Sequence, residues 1–185
     1  MSGTPWQAYG LIVHLAKRLN QNNFGKTKLQ KLVYLADRLK RVKVGYDFTF
    51  YTYGPFSSDL ASDLDYVNAL EGVKITHDLS INMYEIHPGD NADRLEAKSE
   101  DFLRENQQAI DEIVERFGDK QAKELELIAT LVFVNNSGIL EKKEIISKTK
   151  ELKPRFSNEE VEESYELLTG WNYIHEGVQN SVSGS

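Results

Sequence analysis

The residue types that most often carry chemistry are thinly spread along this chain. Its four histidines, His14, His77, His87 and His175, stand apart. None lies three or four residues from another, and no carboxylate pair frames them at a metal-ligand spacing. They read as surface or packed side chains. The absence of cysteine excludes a disulfide scaffold, a thiol nucleophile and a cysteine-ligated metal centre. No G-x-S-x-G elbow and no S-x-x-K with partner motifs marks a serine nucleophile. Gly25-Lys26-Thr27 has the ending of a phosphate loop, but Asn20 to Asn23 stand where an earlier glycine is needed and no strand precedes it. Adjacent acids such as Asp111-Glu112 and Glu159-Glu160 fall on expected helices, where sequence neighbours do not share a face. The sequence therefore holds no catalytic constellation, no metal-ligand set and no cofactor motif.

Two stretches are more pointed: Lys28-Leu29-Gln30-Lys31-Leu32-Val33-Tyr34-Leu35, and Phe50-Tyr51-Thr52-Tyr53-Gly54-Pro55-Phe56-Ser57. On a helix, Lys28 and Lys31 are three apart, as are Lys31 and Tyr34, and Tyr34 and Arg38 are four apart. They form a basic–aromatic stripe opposite or beside the leucine face. On a strand, Tyr51 and Tyr53 point to one side, Phe50 and Thr52 to the other. Gly54-Pro55 then turns the chain so that Ser57 caps a helix. Two readings stand side by side. Either the aromatic turn locks the strand to the preceding helix as core, or Lys28, Lys31, Tyr34, Arg38, Tyr51 and Tyr53 edge a groove for a partner, with Gly54, Pro55, Phe56 and Ser57 as its structural turn.

The elements that must position these residues follow from hydrophobic period. A first helix runs from Pro5 or Trp6 to Leu19, capped by Thr4, with Leu11, Leu15 and Leu19 on its buried stripe. A second starts near Lys26 or Thr27, buries Leu29, Leu32, Val33, Ala36 and Leu39, and ends at Gly45. Residues 46–53 favour a strand, broken by Gly54-Pro55. Ser57 or Ser58 caps a third helix, stopped by Gly72. Val73–Thr76 and Ile81–Ile86 read as a hairpin with the bend at 77–80. One long helix is expected from Asp90 or Asn91 to Phe117. An apolar helix from Ala122 to Val134 and a short one from Lys142 to Leu152 follow. Ser157 and Glu160 form a capping-box pattern for a last helix, ended by Gly170. The helices from residue 122 onward and Trp171-Asn172-Tyr173-Ile174 suggest a winged-helix-like unit. Residues 177–185 are small and polar and read as a disordered tail.

The ordered pair of a K-L-Q-K-L helix and an aromatic strand closing in Y-G-P-F-S resembles the YwgA-like relatives of the Panacea (SocA-like) antitoxin domain. Leu152-Lys153-Pro154-Arg155-Phe156-Ser157 before the last helix is similar to the YwgA type as well. The resemblance implies a phage-associated binding module without an agreed catalytic residue set. It further implies a protein partner, such as a toxin or a component of a protease system, that the domain neutralises or chaperones.

Charge refines that expectation. The formal charge of −7 divides unevenly: residues 1–60 hold nine basic and three acidic side chains, +6, and residues 61–185 hold −13. The expected last helix carries Glu159, Glu160, Glu162, Glu163 and Glu166 with no lysine or arginine between Asn158 and Trp171, which opposes phosphate contact. Nucleic-acid binding through residues 17–43 or the winged-helix-like unit is the alternative. No apolar run reaches membrane-helix length and no signal peptide precedes the first helix, so a cytoplasmic protein is expected. The expected fold is α+β and mostly α-helical: one compact domain over residues 5–176 with a small antiparallel β-sheet, non-enzymatic and without cofactor.

Overall fold

The leucine repeat of the first segment forms α1 (Pro5–Arg18), burying Leu11, Ile12, Val13, Leu15 and Ala16. The computed structural model describes residues 5–21, 23–79, 82–139 and 141–174. The expected Thr4 cap, the Ile81 start of the second hairpin strand, Ser80 in its bend, His175 and the tail from Gly177 lie outside these residues. Helix α2 (Lys26–Lys40) follows, and every residue from Lys28 to Asp37 is buried. It stops earlier than Gly45: Arg41 takes the left-handed conformation at φ +58°, and Val42 N–H bonds back to the Ala36 carbonyl.

The aromatic segment differs from the single strand expected. It is a hairpin, β1 (Thr49–Tyr51) with β2 (Gly54–Phe56), paired antiparallel with Tyr51 opposite Gly54. Gly54 does not break a strand but closes the loop, supplying φ +86°, which a short hairpin asks of glycine. Ser57 then caps α3 (Ser58–Ala69), accepting from Leu60 N–H at 3.4 Å. That helix ends before Gly72, at Leu70, with Glu71 at φ +58°. A second hairpin, β3 (Val73–Asp78) with β4 (Met83–Pro88), makes a separate two-stranded sheet. Among the described residues there are thus two small antiparallel sheets where one was expected, in a mostly helical α+β fold.

The long helix expected to Phe117 is two: α4 (Ala92–Ala97) and α5 (Glu100–Phe117). The break lies at Ser99, whose hydroxyl donates to the Glu96 carbonyl. Ser99 fits a notch at Gly10 of α1, where an added Cβ would lie 1.6 Å from its Oγ. Tertiary packing thus interrupts a periodicity that reads as continuous. Helix α6 spans Ala122–Asn136, α7 Lys142–Leu152 and α8 Asn158–Gly170. The capping box of α8 is complete: Ser157 Oγ accepts from Glu160 N–H at 3.1 Å, and the Glu160 carboxylate accepts from Ser157 N–H at 2.7 Å.

The chain divides into two compact units, Met1–Glu126 and Leu127–Ser185. Leu29, Leu32 and Val33 are buried in the first, Ile128 and Leu131 in the second. The regular elements among the described residues of the second unit are all helices, so the wing of a winged helix is not among them. No helix is long and apolar enough to cross a membrane.

Candidate functional site

Helix α2 is buried from Lys28 to Asp37, so each polar side chain in that stretch needs a partner. Gln30 has two. Its Nε2 donates to the Ser57 carbonyl and its Oε1 accepts from Ser57 N–H, both at 2.9 Å. Lys31 donates from Nζ to the Pro55 carbonyl at 2.7 Å. Gln30 and Lys31 therefore bolt β2 and the start of α3 to α2. This accounts for the pairing of the two sequence stretches: the helix motif supplies the side chains, and the turn motif supplies the backbone groups they hold. Asp37 meets Lys43 at 2.8 Å and Arg38 at 3.3 Å.

The hairpin so fixed overhangs a cleft of about 440 Å³ between α2, β1–β2 and α3. Leu29, Phe56, Leu60 and Leu64 give it an apolar lining, and Lys26, Lys31 and Asp65 add charge. Tyr51 and Tyr53 stand on its edge, 63% and 59% exposed. Lys26 lies 3.8 Å from Asp65 and 4.9 Å from the Tyr84 ring centre. Gly25 permits that neighbourhood, since a Cβ there would meet the Tyr84 carbonyl oxygen at 2.7 Å.

Of the residues expected to edge a partner groove, the structure brings Lys31, Tyr51 and Tyr53 to the cleft, together with Gly54 and Phe56 of the turn. Pro55 and Ser57 are buried beneath it. The stripe expected on α2 does not face solvent. Lys28 is 4% exposed, Lys31 2% and Tyr34 1%, with Tyr34 edge-on to Phe48. Burial pushes the Lys28 ammonium below the ordinary lysine value, a shift opposed by Asp119 and Glu124. Arg38 remains exposed, 5.7 Å from the Tyr34 ring centre. Sequence periodicity does not mark Lys26, Gln30, Leu60, Leu64 or Asp65 as lining a cleft.

The basic residues of segment 17–43 are largely matched within the fold. Lys17 meets Asp93 and Glu96, Arg18 Asp111, and Lys40 Glu112. In the second unit Lys142 meets Glu166 and Lys148 meets Glu151, while Glu159, Glu162, Glu163 and Glu166 are exposed on α8. The described histidines are engaged as well: His14 with Glu96, His77 stacked on Tyr84, and His87 with Asn20 and Thr76. Among the described residues no group of three or more His, Asp or Glu side chains is arranged to hold a metal ion.

Residues 29–130 match the family described as Antitoxin SocA-like, Panacea domain. The chain belongs to this family. The matched span starts at Leu29 on α2 and includes the β1–β2 hairpin and α3, so the walls of the cleft lie almost wholly within the Panacea domain. No curated protein matches this Panacea-domain chain. Membership supports a regulatory or partner-binding role in general terms.

Proposed function

We propose that this chain is a non-enzymatic, cytoplasmic regulatory module that binds a partner protein in the cleft between α2, the β1–β2 hairpin and α3. One observation carries this reading. Two tyrosines stand more than half exposed beside an apolar cleft, on a hairpin whose second strand is bolted to a buried helix. Large exposed aromatics beside an apolar cleft are the kind of residue from which protein interfaces draw most of their binding energy. Tyrosine combines a polar hydroxyl with an apolar ring, a combination suited to a surface that is sometimes free and sometimes covered. Family membership supports an antitoxin-like role, with the partner either a toxin to be neutralised or a component of a protease system to which the module acts as adaptor. The matched charges of segment 17–43 and the acidic face of α8 weigh against a nucleic-acid partner.

The test is capture from native lysate on immobilised chain, comparing wild type with Tyr51→Ala/Tyr53→Ala, each with a thermal melt. The reading expects a protein enriched on wild type and lost on the variant, with the melting temperature nearly unchanged. Equal recovery of that protein on both forms contradicts it. Recovery that disappears on nuclease treatment favours the nucleic-acid alternative.

A further inference from the structure

The two strands of the β1–β2 hairpin are fastened differently. Strand β2 continues into Ser57, and its backbone is bolted to α2 through Lys31 and Gln30. Strand β1 is entered from residues 41–48, a strap without helix or strand. The strap leaves α2 at Arg41 in the left-handed conformation. It passes through Gly45 at φ +89°, where no atom lies within 4 Å of an added Cβ. A positive-φ glycine in open surroundings is free to act as a pivot. Beyond Gly45, Tyr46 donates its hydroxyl to Asp63 Oδ2 of α3 at 2.8 Å, and Phe48 packs edge-on against Tyr34. Both Tyr46 and Asp63 are half-buried. The Tyr46–Asp63 bond is thus a side-chain tie between the strap's second half and α3, three residues before β1 begins.

We propose that Tyr46 and Asp63 are a positioning pair that sets the mouth of the cleft. The bond latches the strap onto α3. Release lets the strap pivot about Gly45 and peel β1, with Tyr51 at its end, from β2 by opening the short Thr49–Tyr51 ladder, while β2 stays bolted. A latch beside a pivot gives the hairpin a local opening, separate from global unfolding. The latch bears on partner binding only through the reading of the cleft above, but the motion itself is measurable without any partner.

Hydrogen exchange on the full chain tests it, following amides of residues 42–52 against those of α1 and α2. In Tyr46→Phe, which keeps the ring and deletes the donor, exchange over 42–52 is expected to speed up roughly three- to tenfold, the range for one lost hydrogen bond, while α1 and α2 stay as in wild type. Asp63→Ala should do the same. Asp63→Asn, which keeps an acceptor for the Tyr46 hydroxyl, should restore near-wild-type exchange. Unchanged exchange over 42–52 in Tyr46→Phe overturns the latch. So does a uniform rise that includes α1 and α2, because that signals general destabilisation. If the latch behaves as described but lysate capture is insensitive to Tyr51 and Tyr53, the partner reading fails and the latch stands.

Discussion

Replacing Gln30 tests the bolt that makes the cleft. Gln30→Met keeps the length and apolar volume of the side chain but removes both polar atoms. The two bonds lost to Ser57 are not equivalent. The Ser57 carbonyl also accepts from Ala61 N–H at 3.2 Å, so it keeps a partner in the variant. Ser57 N–H has Gln30 Oε1 at 2.9 Å, and Ser57 is 1% exposed. Orphaning a buried N–H costs about 1–3 kcal/mol, and losing one of two bonds to a carbonyl about 0.5–1.5 kcal/mol. The variant should therefore lose about 1.5–4.5 kcal/mol in urea unfolding, with little change in m-value. Gln30→Glu should fall in the same range, because its carboxylate faces the Ser57 carbonyl. A loss below about 1 kcal/mol in Gln30→Met would refute the reasoning. It would mean that the glutamine does not fix the turn and that the hairpin is held by other contacts.

Three further outcomes follow from particular contacts. Gly10→Ala should cost about 1–3 kcal/mol in thermal melts, because the new Cβ meets both Oγ and Cβ of Ser99. Adding Ser99→Gly should return part of it, and a neutral Gly10→Ala would show that the α1–Ser99 joint is loose. Burial raises the Asp63 carboxyl above its ordinary value of 3.8, a shift only partly offset by the Tyr46 hydroxyl. Its folded-state pKa thus exceeds the unfolded one, so its contribution is fully present below 3.8 and is lost as pH rises through the folded value. Asp63→Asn should remove that slope and be at least as stable as wild type at neutral pH, and a steeper decline in the variant would contradict the sign. Burial alone would raise the Glu96 carboxyl, but hydrogen bonds from Lys17 and His14 hold it below 4.5. Its contribution is present above 4.5 and lost as pH falls through the folded value, so Glu96→Gln should flatten the acid limb of the stability curve. An unaltered acid limb would count against the cluster.

Where a local signal sets the structure, the sequence is readable. The Ser157–Glu160 capping box and the limits of α7 at Lys142 and Leu152 depend on residues a few positions apart, and they stand where the pattern puts them. Where a distant partner decides, the pattern misleads. Nothing near residue 99 announces the break between α4 and α5, because its cause is the notch at Gly10. The aromatic run from residue 46 has the composition of one strand. Whether it bends into a hairpin depends on Gly54 at positive φ and on a backbone held from α2. The candidate site was half legible for the same reason. Tyr51 and Tyr53 are exposed, but not by alternation along one strand: β1 ends at Tyr51, and Tyr53 lies in the hairpin loop beside an exposed Thr52. Lys28 and Lys31 resemble solvent-facing lysines by periodicity, yet both are buried, and the Lys31 ammonium ends on the Pro55 carbonyl, 24 residues away. A helix buried from Lys28 to Asp37 leaves its polar side chains no solvent to face.

The most direct test of the partner-binding cleft is site-specific photo-crosslinking in the native host. A benzophenone side chain is placed at Tyr53 in one form and at Glu163, on the acidic face of α8, in another. The account predicts one dominant cross-linked protein from position 53, reduced by the Tyr51→Ala substitution, and no such adduct from position 163. A partner that cross-links from position 163 but not from position 53 would contradict it.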